Sequence, residues 1–329
     1  MSVCPAISPD ALRIDAGAET ERIVAAIRKV VFRQWKRKGA VVGLSGGIHS
    51  SVVAFLCARA LGKDRVLALF MPEPESAPDG LRLGRKVAEL LGLRTALEDI
   101  GPILRAAHYY QRRDQVVRGA IPGYRSGSRF RIVLPGARRS QGDVLFSVVV
   151  QSSEGEALWA PLSAEAYQDI VAATNWKQRT RQMMEYYYAD LLEYAVVGTA
   201  NRLKYDQGMF VKNGDGAVDL EPIAHLYGSQ VYQLARYLRV PTEIRRRSRS
   251  ADLCPLEQSA DDLYLLLPEE EMDLCLYGEN NGIAASDIAP AVGLKTDQVQ
   301  QVYQAIQAKR AAAEYLRAAP VLLPESVEA

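Results

Sequence analysis

Ala40-Val41-Val42-Gly43-Leu44-Ser45-Gly46-Gly47-Ile48-His49-Ser50-Ser51-Val52-Val53 is the stretch that decides the fold. Its first five residues form a short apolar run, suited to a strand buried on both faces of a parallel sheet. Ser45-Gly46-Gly47 reads as a turn. Val52, Val53, Phe55 and Leu56 then carry a helix that Gly62 stops. A helix N-terminus presents unpaired N–H groups and a partial positive charge, and small residues let anion oxygens approach them. Ser45, Gly46, Gly47, Ser50 and Ser51 supply that geometry, with hydroxyls as extra donors. Val41 to Ser50 is therefore expected to bind the phosphates of a nucleotide, ATP. The GxxxxGK[ST] pattern is absent, which excludes a Walker-type loop. A plain glycine turn is the competing reading, and the strand before it and the helix after it weigh against that.

The pattern repeats on either side. Residues 19 to 38 predict an amphipathic helix, with Ile23, Ile27, Val30, Val31 and Trp35 at helical spacing. Val66 to Phe70 predicts a strand, Leu81 to Leu91 a helix ending at Gly92, Leu93 to Leu97 a strand and Ile103 to Tyr110 a helix. From Asn175 the rhythm resumes: a helix to Tyr188, a strand at Ala195 to Gly198, a glycine-containing loop at Gly208 to Gly216, and helices at Gly228 to Leu238 and Thr296 to Arg317. Alternating strands and helices imply an α/β fold, a doubly wound parallel sheet with helices on both faces. Ligands of such sheets sit at the carboxyl ends of the strands, where the loop after Leu44 lies.

Residues 112–165 break the rhythm. Arg112, Arg113, Arg118, Arg125, Arg129, Arg131, Arg138 and Arg139 crowd this stretch. Arg129–Leu134 and Val144–Gln151 read as strands, with Gly136 and Gly142 bracketing a hairpin turn. We expect an inserted β-rich subdomain between an N-terminal half at 1–111 and the remainder at 166–329. Its arginines either face water or bind phosphate or an acidic partner.

Bulk composition narrows the function classes. Forty basic residues against 39 acidic ones leave a net charge of +1, which argues against general nucleic-acid or membrane-surface binding. The N-terminus lacks the regions of a signal peptide, and no apolar run reaches the roughly 18 residues of a membrane span, so a cytoplasmic protein is expected. Cys4, Cys57, Cys254 and Cys275 form no CxxC pair and read as idle or buried thiols. His49, His108 and His225 are the only histidines, too few for a multi-histidine metal centre. His108 and His225 are taken as structural or surface residues.

The loop resembles the SGGxDS signature of the ATP pyrophosphatase superfamily, and further motifs narrow the resemblance to ammonia-dependent NAD synthases. Asn175-Trp176-Lys177-Gln178-Arg179-Thr180-Arg181 is similar to that family's NxKxRxR helix. Val197-Gly198-Thr199-Ala200-Asn201 is similar to its VGTxN strand end. Phe210-Val211-Lys212-Asn213-Gly214-Asp215-Gly216-Ala217-Val218-Asp219 is similar to its F-T-K-x-G-D-G-x-x-D loop. Ser250-Ala251-Asp252-Leu253 continues the match. The resemblance implies that Ser45, Gly46, Gly47, Ser50, Thr199 and Ser250 hold ATP, and that Arg179, Lys212 and Asp219 hold the deamido-NAD substrate. Arg179 and Lys212 can neutralise phosphates and Asp219 can accept from hydroxyl or amide groups, although Arg179 and Arg181 can equally be solvent-facing helix residues. A homodimer is implied by the resemblance alone.

Several positions depart from the family. The signature aspartate, a magnesium ligand, is His49, and the second magnesium carboxylate is Lys204. A lysine that contacts ATP is Gly228, and Ala308-Lys309-Arg310 replaces a His-Lys-Arg run, leaving Lys309 as a candidate substrate contact. Magnesium prefers oxygen ligands, so its use is in question and no residue is expected to ligate a metal. His49, Lys204 and Lys212 are the candidate catalytic groups, with Lys204 as a fixed positive charge in place of the ion. The expected reaction is ATP-dependent activation of a carboxylate followed by ammonia attack, giving an amide, AMP and pyrophosphate. Ammonia comes free or from a partner glutaminase, since a chain of this size is filled by the synthase-like domain and the insertion. The altered positions point to an acid other than deamido-NAD. The alternatives are a non-catalytic nucleotide binder and a housekeeping ammonia-dependent NAD synthase.

Overall fold

The computed structural model describes residues 7–125, 128–133, 146–151, 157–247 and 267–323. Ser250 with its Ser250–Leu253 motif, the hairpin turn at Gly136 and Gly142, Arg138, Arg139, Cys4 and Cys254 lie outside the described residues.

Helix α1 (Ala16–Arg28) opens the fold, with Asp15 as its cap accepting from the Gly17 and Ala18 amides. A π-helical turn (Lys29–Gln34) follows, so the helix expected over 19–38 changes geometry after Arg28. The chain then winds through β1 (Gly39–Gly43), α2 (Ile48–Leu61), β2 (Val66–Phe70), α3 (Pro78–Leu91) and β3 (Arg94–Leu97). Next come α4 (Gly101–Ala106) and α5 (Tyr109–Ala120), and after the small sheet described below the long α6 (Ala164–Leu192) leads into β7 (Tyr194–Val197).

The main sheet has the order β3-β2-β1-β7 and is parallel throughout. Central β1 sets the register: Val42 lies opposite Ala68 of β2 and Val197 of β7. Side-chain alternation splits the strands between two cores. Ala40, Val42 and Ala68 pack with Ile23, Ile27, Val52, Leu56, Val231 and Leu234, beneath α1, α2 and α8 (Gly228–Tyr237). Val41, Leu67, Leu69 and Val196 face the other way, against Met184 and Ala189 of α6. The doubly wound arrangement expected from the alternating pattern is therefore present.

A second, antiparallel sheet is built from β4 (Phe130–Val133), β5 (Ser147–Gln151) and β6 (Ala157–Pro161), with the order β4-β5-β6. Its core of Phe130, Ile132, Val148 and Val150 packs with Val117 of α5 and Ile170 of α6. The third strand, β6, adds to the two that the sequence predicts. Most of it is exposed, and it ends in a proline, so it carries little apolar alternation. The helix expected over Asn175–Tyr188 extends 29 residues from a Ser163 cap and starts inside the stretch read as an insertion.

Short helices α7 (Arg202–Asp206) and α9 (Thr242–Arg246) flank α8. Three closing helices, α10 (Glu269–Asn280), α11 (Ala285–Val292) and α12 (Thr296–Arg317), share a core of Leu274, Cys275, Ile288, Val299, Val302 and Ile306. Among the described residues no helix is long and apolar enough to cross a membrane. Cys57 and Cys275 are buried free thiols, and burial raises both to about 12, as expected of idle cysteines.

Candidate functional site

The site grows from the end of β1. Gly46 adopts φ +75°, and a Cβ there would run into the Gly80 carbonyl and the backbone of Gly84, both in α3. Only glycine suits this turn. Gly47 caps α2 with no side-chain hydrogen bond to the first-turn amides, so those donors stay available to an anion. Ser45 Oγ lies 3.2 Å from Ser50 Oγ, and the Ser50 and Ser51 hydroxyls donate to the Gly47 carbonyl at 3.2 and 2.7 Å. The turn is thus held from within, and the Gly47 amide also donates to Ser45 Oγ at 3.4 Å. Arg247 reaches the same loop, with Nη1 3.5 Å from the Gly46 carbonyl. No local pattern marks this guanidinium, which lies about two hundred residues along the chain from its partner.

Beside the loop, the ends of β1 and β7 carry Gly43 and Gly198. A Cβ on Gly43 would overlap the Glu185 carboxylate of α6, and one on Gly198 would overlap Glu221. Both glycines make room for carboxylates laid against the strand ends. Sequence reading missed these two acids, and the glycines were the available signal. Glu221 Oε2 also accepts from the Ala200 amide at 2.9 Å. Burial raises both carboxyls to about 8, and the charge of Asp215 adds to the effect. Lys204 opposes it at Glu221 and Asp215, and Arg181 at Glu185 and Asp215.

The remaining candidates are distributed as follows. Thr199 leaves β7 half-exposed beside this cleft. Lys204 sits in α7, whose N-terminus is capped by Asn201 Oδ1 accepting from the Lys204 amide at 2.9 Å. Half-buried His49 lies in the first turn of α2, with its Nε2 out of contact with water. Arg179 and Lys212 are brought together, since Arg179 Nε donates to the Lys212 carbonyl at 3.3 Å. The Lys212 ammonium, however, turns to the end of α12, donating to the Tyr315 carbonyl at 2.8 Å and lying 4.0 Å from that ring's centroid. Asp219 is committed to the fold edge: it accepts from the Val196 amide at 2.8 Å and lies 3.0 Å from the Tyr186 hydroxyl. Lys309 is half-buried in α12, and burial lowers its pKa.

Gly228 has a direct structural counterpart. A Cβ there would overlap Glu269 of α10, so that carboxylate fills the side-chain space. Glu269 accepts from Asn201 Nδ2 at 3.0 Å, and fully buried Asp273 accepts from the Gly228 and Ser229 amides at 3.2 and 2.8 Å.

The arginines of residues 112–165 divide. Arg113 is neither solvated nor open to a ligand: it is 2 % exposed, pairs with Glu75 at 2.5 and 2.6 Å, and packs on the rings of Tyr109 and Phe130. His225 pairs with Glu19 at 2.6 Å at the surface, and exposed His108 joins α4 to α5 with φ 55°, both as structural or surface residues.

A family model described as NAD synthase matches residues 19–133 and 152–316. The chain belongs to the NAD synthase family. The NH(3)-dependent NAD(+) synthetase of Mesorhizobium japonicum is 52 % identical over 314 residues, covering 95 % of this chain and 98 % of that one. The protein of that name from Thermotoga maritima is 33 % identical, covering 86 % and 94 %. Among solved structures, the NH3-dependent NAD synthetase of Campylobacter jejuni superposes with a TM-score of 0.61 at 22 % identity, covering 94 % of this chain and all of that one. A Francisella tularensis NMN synthetase scores 0.61 at 21 %, covering 95 % and 100 %. Those two likenesses show the shared fold. Membership makes this an AMP-forming carbon–nitrogen ligase of NAD-synthase type that uses ATP. The relatives favour the housekeeping alternative over a ligase repurposed to another acid.

NAD synthases use magnesium with ATP, and the two positions that the resemblance assigns to its ligands are His49 and Lys204 in this chain. A hard divalent cation seeks oxygen ligands, and an imidazole and an ammonium at those positions do not suit it. Among the described residues no group of three or more His, Cys, Asp or Glu is placed to hold a metal ion.

Proposed function

We propose that this protein is an ammonia-dependent NAD synthetase, converting the carboxylate of deamido-NAD to the amide of NAD at the expense of ATP. The observation that carries this reading is the donor-lined Ser45–Gly47 turn over the uncapped start of α2, in a chain 52 % identical to a synthetase of that name over nearly its whole length. The substrate carboxylate oxygen attacks the α-phosphorus of ATP and pyrophosphate leaves. Ammonia then attacks the acyl carbon and AMP leaves with the bridging oxygen. The amides at the start of α2 and the Ser45 and Ser50 hydroxyls hold phosphate oxygens, while Lys204 and Arg247 offset charge as it moves to the leaving group. Ser250 and Thr199 are assigned to ATP, and Arg179, Lys212 and Asp219 to the dinucleotide; for Lys212 this requires release from the end of α12. Lys309 is assigned to substrate through α12. Ammonia is taken free or from a separate glutaminase.

The test is pyrophosphate release and NAD formation from deamido-NAD, ATP and ammonium. Turnover with deamido-NAD and not with other carboxylic acids supports the reading. Tight ATP binding with no pyrophosphate release from any acid supports instead a nucleotide-binding protein, which His49, Lys204 and Gly228 favour.

We also propose a homodimer built on α6. Trp176, Met183, Tyr187 and Leu191 stay 40–64 % exposed and fall on one stripe of this helix.

A further inference from the structure

The strands β1 and β7 are paired neighbours, with Val42 opposite Val197. The phosphate turn and α7 therefore leave the sheet side by side. Lys204 is not on a loose segment. Asn201 caps α7, Arg310 of α12 pairs with Asp206 at 2.9 Å, and Arg317 donates to the Asp206 carbonyl at 2.8 Å and to that of Tyr205. Arg247 holds a second positive charge on the Gly46 carbonyl. A triphosphate carries several negative charges, so holding it beside the strand ends calls for positive charge there; Lys204 acts on Asp215 and on Glu221, whose carboxylate lies against Gly198 at the end of β7. An ammonium beside the phosphate turn repels a divalent cation and supplies the same sign of charge.

We propose that Lys204 and Arg247 are the resident counter-ions of the nucleotide site, and that this protein binds ATP without a divalent metal. The proposal rests on the assignment of ATP to the Ser45–Gly47 turn. It concerns binding of the nucleotide, so it can fail while NAD synthesis stands, and can stand while NAD synthesis fails.

The experiment is calorimetric ATP binding to the full chain in EDTA and in excess magnesium, with manganese EPR as the second readout. The affinities are expected to agree within about threefold, and manganese is expected to bind protein plus ATP no more tightly than ATP alone. Lys204→Met should weaken binding in EDTA by at least about tenfold, and Lys204→Arg should retain it. The pair His49→Asp with Lys204→Glu should reverse the behaviour, with weak binding in EDTA that magnesium restores. Loss of more than about tenfold in affinity for the unaltered chain in EDTA, a protein-bound manganese signal, or no ATP binding in either buffer overturns the proposal. An unaltered circular dichroism spectrum for each variant separates loss of charge from loss of fold.

Discussion

At Gly46 the backbone and the chemistry make one demand. The left-handed φ of +75° and the close approach of α3 both exclude a side chain, and the same turn leads into the start of α2, which has no side-chain cap. Gly46→Ala should lower stability by about 1–3 kcal/mol, from left-handed strain plus displacement of α3. It should also lower ATP affinity more than tenfold, read by thermal melts and calorimetry. The carboxylates beside the turn make a second residue-scale prediction. Glu185 faces Asp215 and Arg181, and Glu221 faces Asp215, Lys204 and Glu185, with both acids raised to about 8. Below that pH they are neutral and tolerate a triphosphate; above it they carry charge and repel one. ATP affinity should therefore fall as pH rises from 7 to 9. Glu221→Gln should flatten that fall, and an unchanged profile in this variant would refute the role of Glu221.

At the scale of elements, α5 is tied to the β2–α3 connection by Arg113, which is 2 % exposed and paired bidentately with Glu75. Removing one partner leaves a buried charge uncompensated, so Arg113→Ala should cost about 3–5 kcal/mol in urea denaturation. Replacing both Arg113 and Glu75 by methionine should recover part of that loss. The contact also shows what could be read from sequence. The strand–turn–helix at Val41–Ser50 was legible because its apolar run, its glycines and its helical spacing are all local. Arg113 was not: in a stretch with eight arginines nothing local marks the one whose partner lies 38 positions away. Glu185 and Glu221 were hidden in the same way, because the glycines that accommodate them lie on other elements. The N-terminal part of α6 is not legible because the motif that marks the helix begins only at Asn175 and the stretch read as an insertion runs to residue 165. A further pair of elements predicts a pH effect. Asp273 of α10 takes the first amides of α8 while fully buried, and burial raises it to about 7 from an ordinary 3.8. The folded state thus holds a proton that the unfolded state releases earlier, and this group's contribution declines as pH rises from about 4 to 7. The cost is about 2–4 kcal/mol once it is complete. Asp273→Asn should accordingly gain stability relative to the unaltered chain at pH 8 and not at pH 4, in melts at the two values.

For the whole molecule, α6 serves two surfaces at once. One face covers the parallel sheet through Met184 and Ala189, and the Lys177–Glu73 pair at 2.6 Å pins it to the β2–α3 connection. Another carries the stripe of Trp176, Met183, Tyr187 and Leu191 into solvent. Over a helix 29 residues long, such a stripe is a costly thing to leave wet, and a second copy of the same helix would cover it with the self-complementarity that a twofold axis demands. Leu191 is the informative position, being 64 % exposed and outside the cores built on α6. Leu191→Asp should leave the monomer's melting behaviour within about 0.5 kcal/mol, as for an exposed substitution, while raising the dimer dissociation constant at least tenfold. Sedimentation equilibrium across a concentration series reads the second quantity independently of the first. A chain that sediments as a monomer at all concentrations, unaltered by this substitution, removes the dimer and with it any substrate contact supplied across the twofold axis.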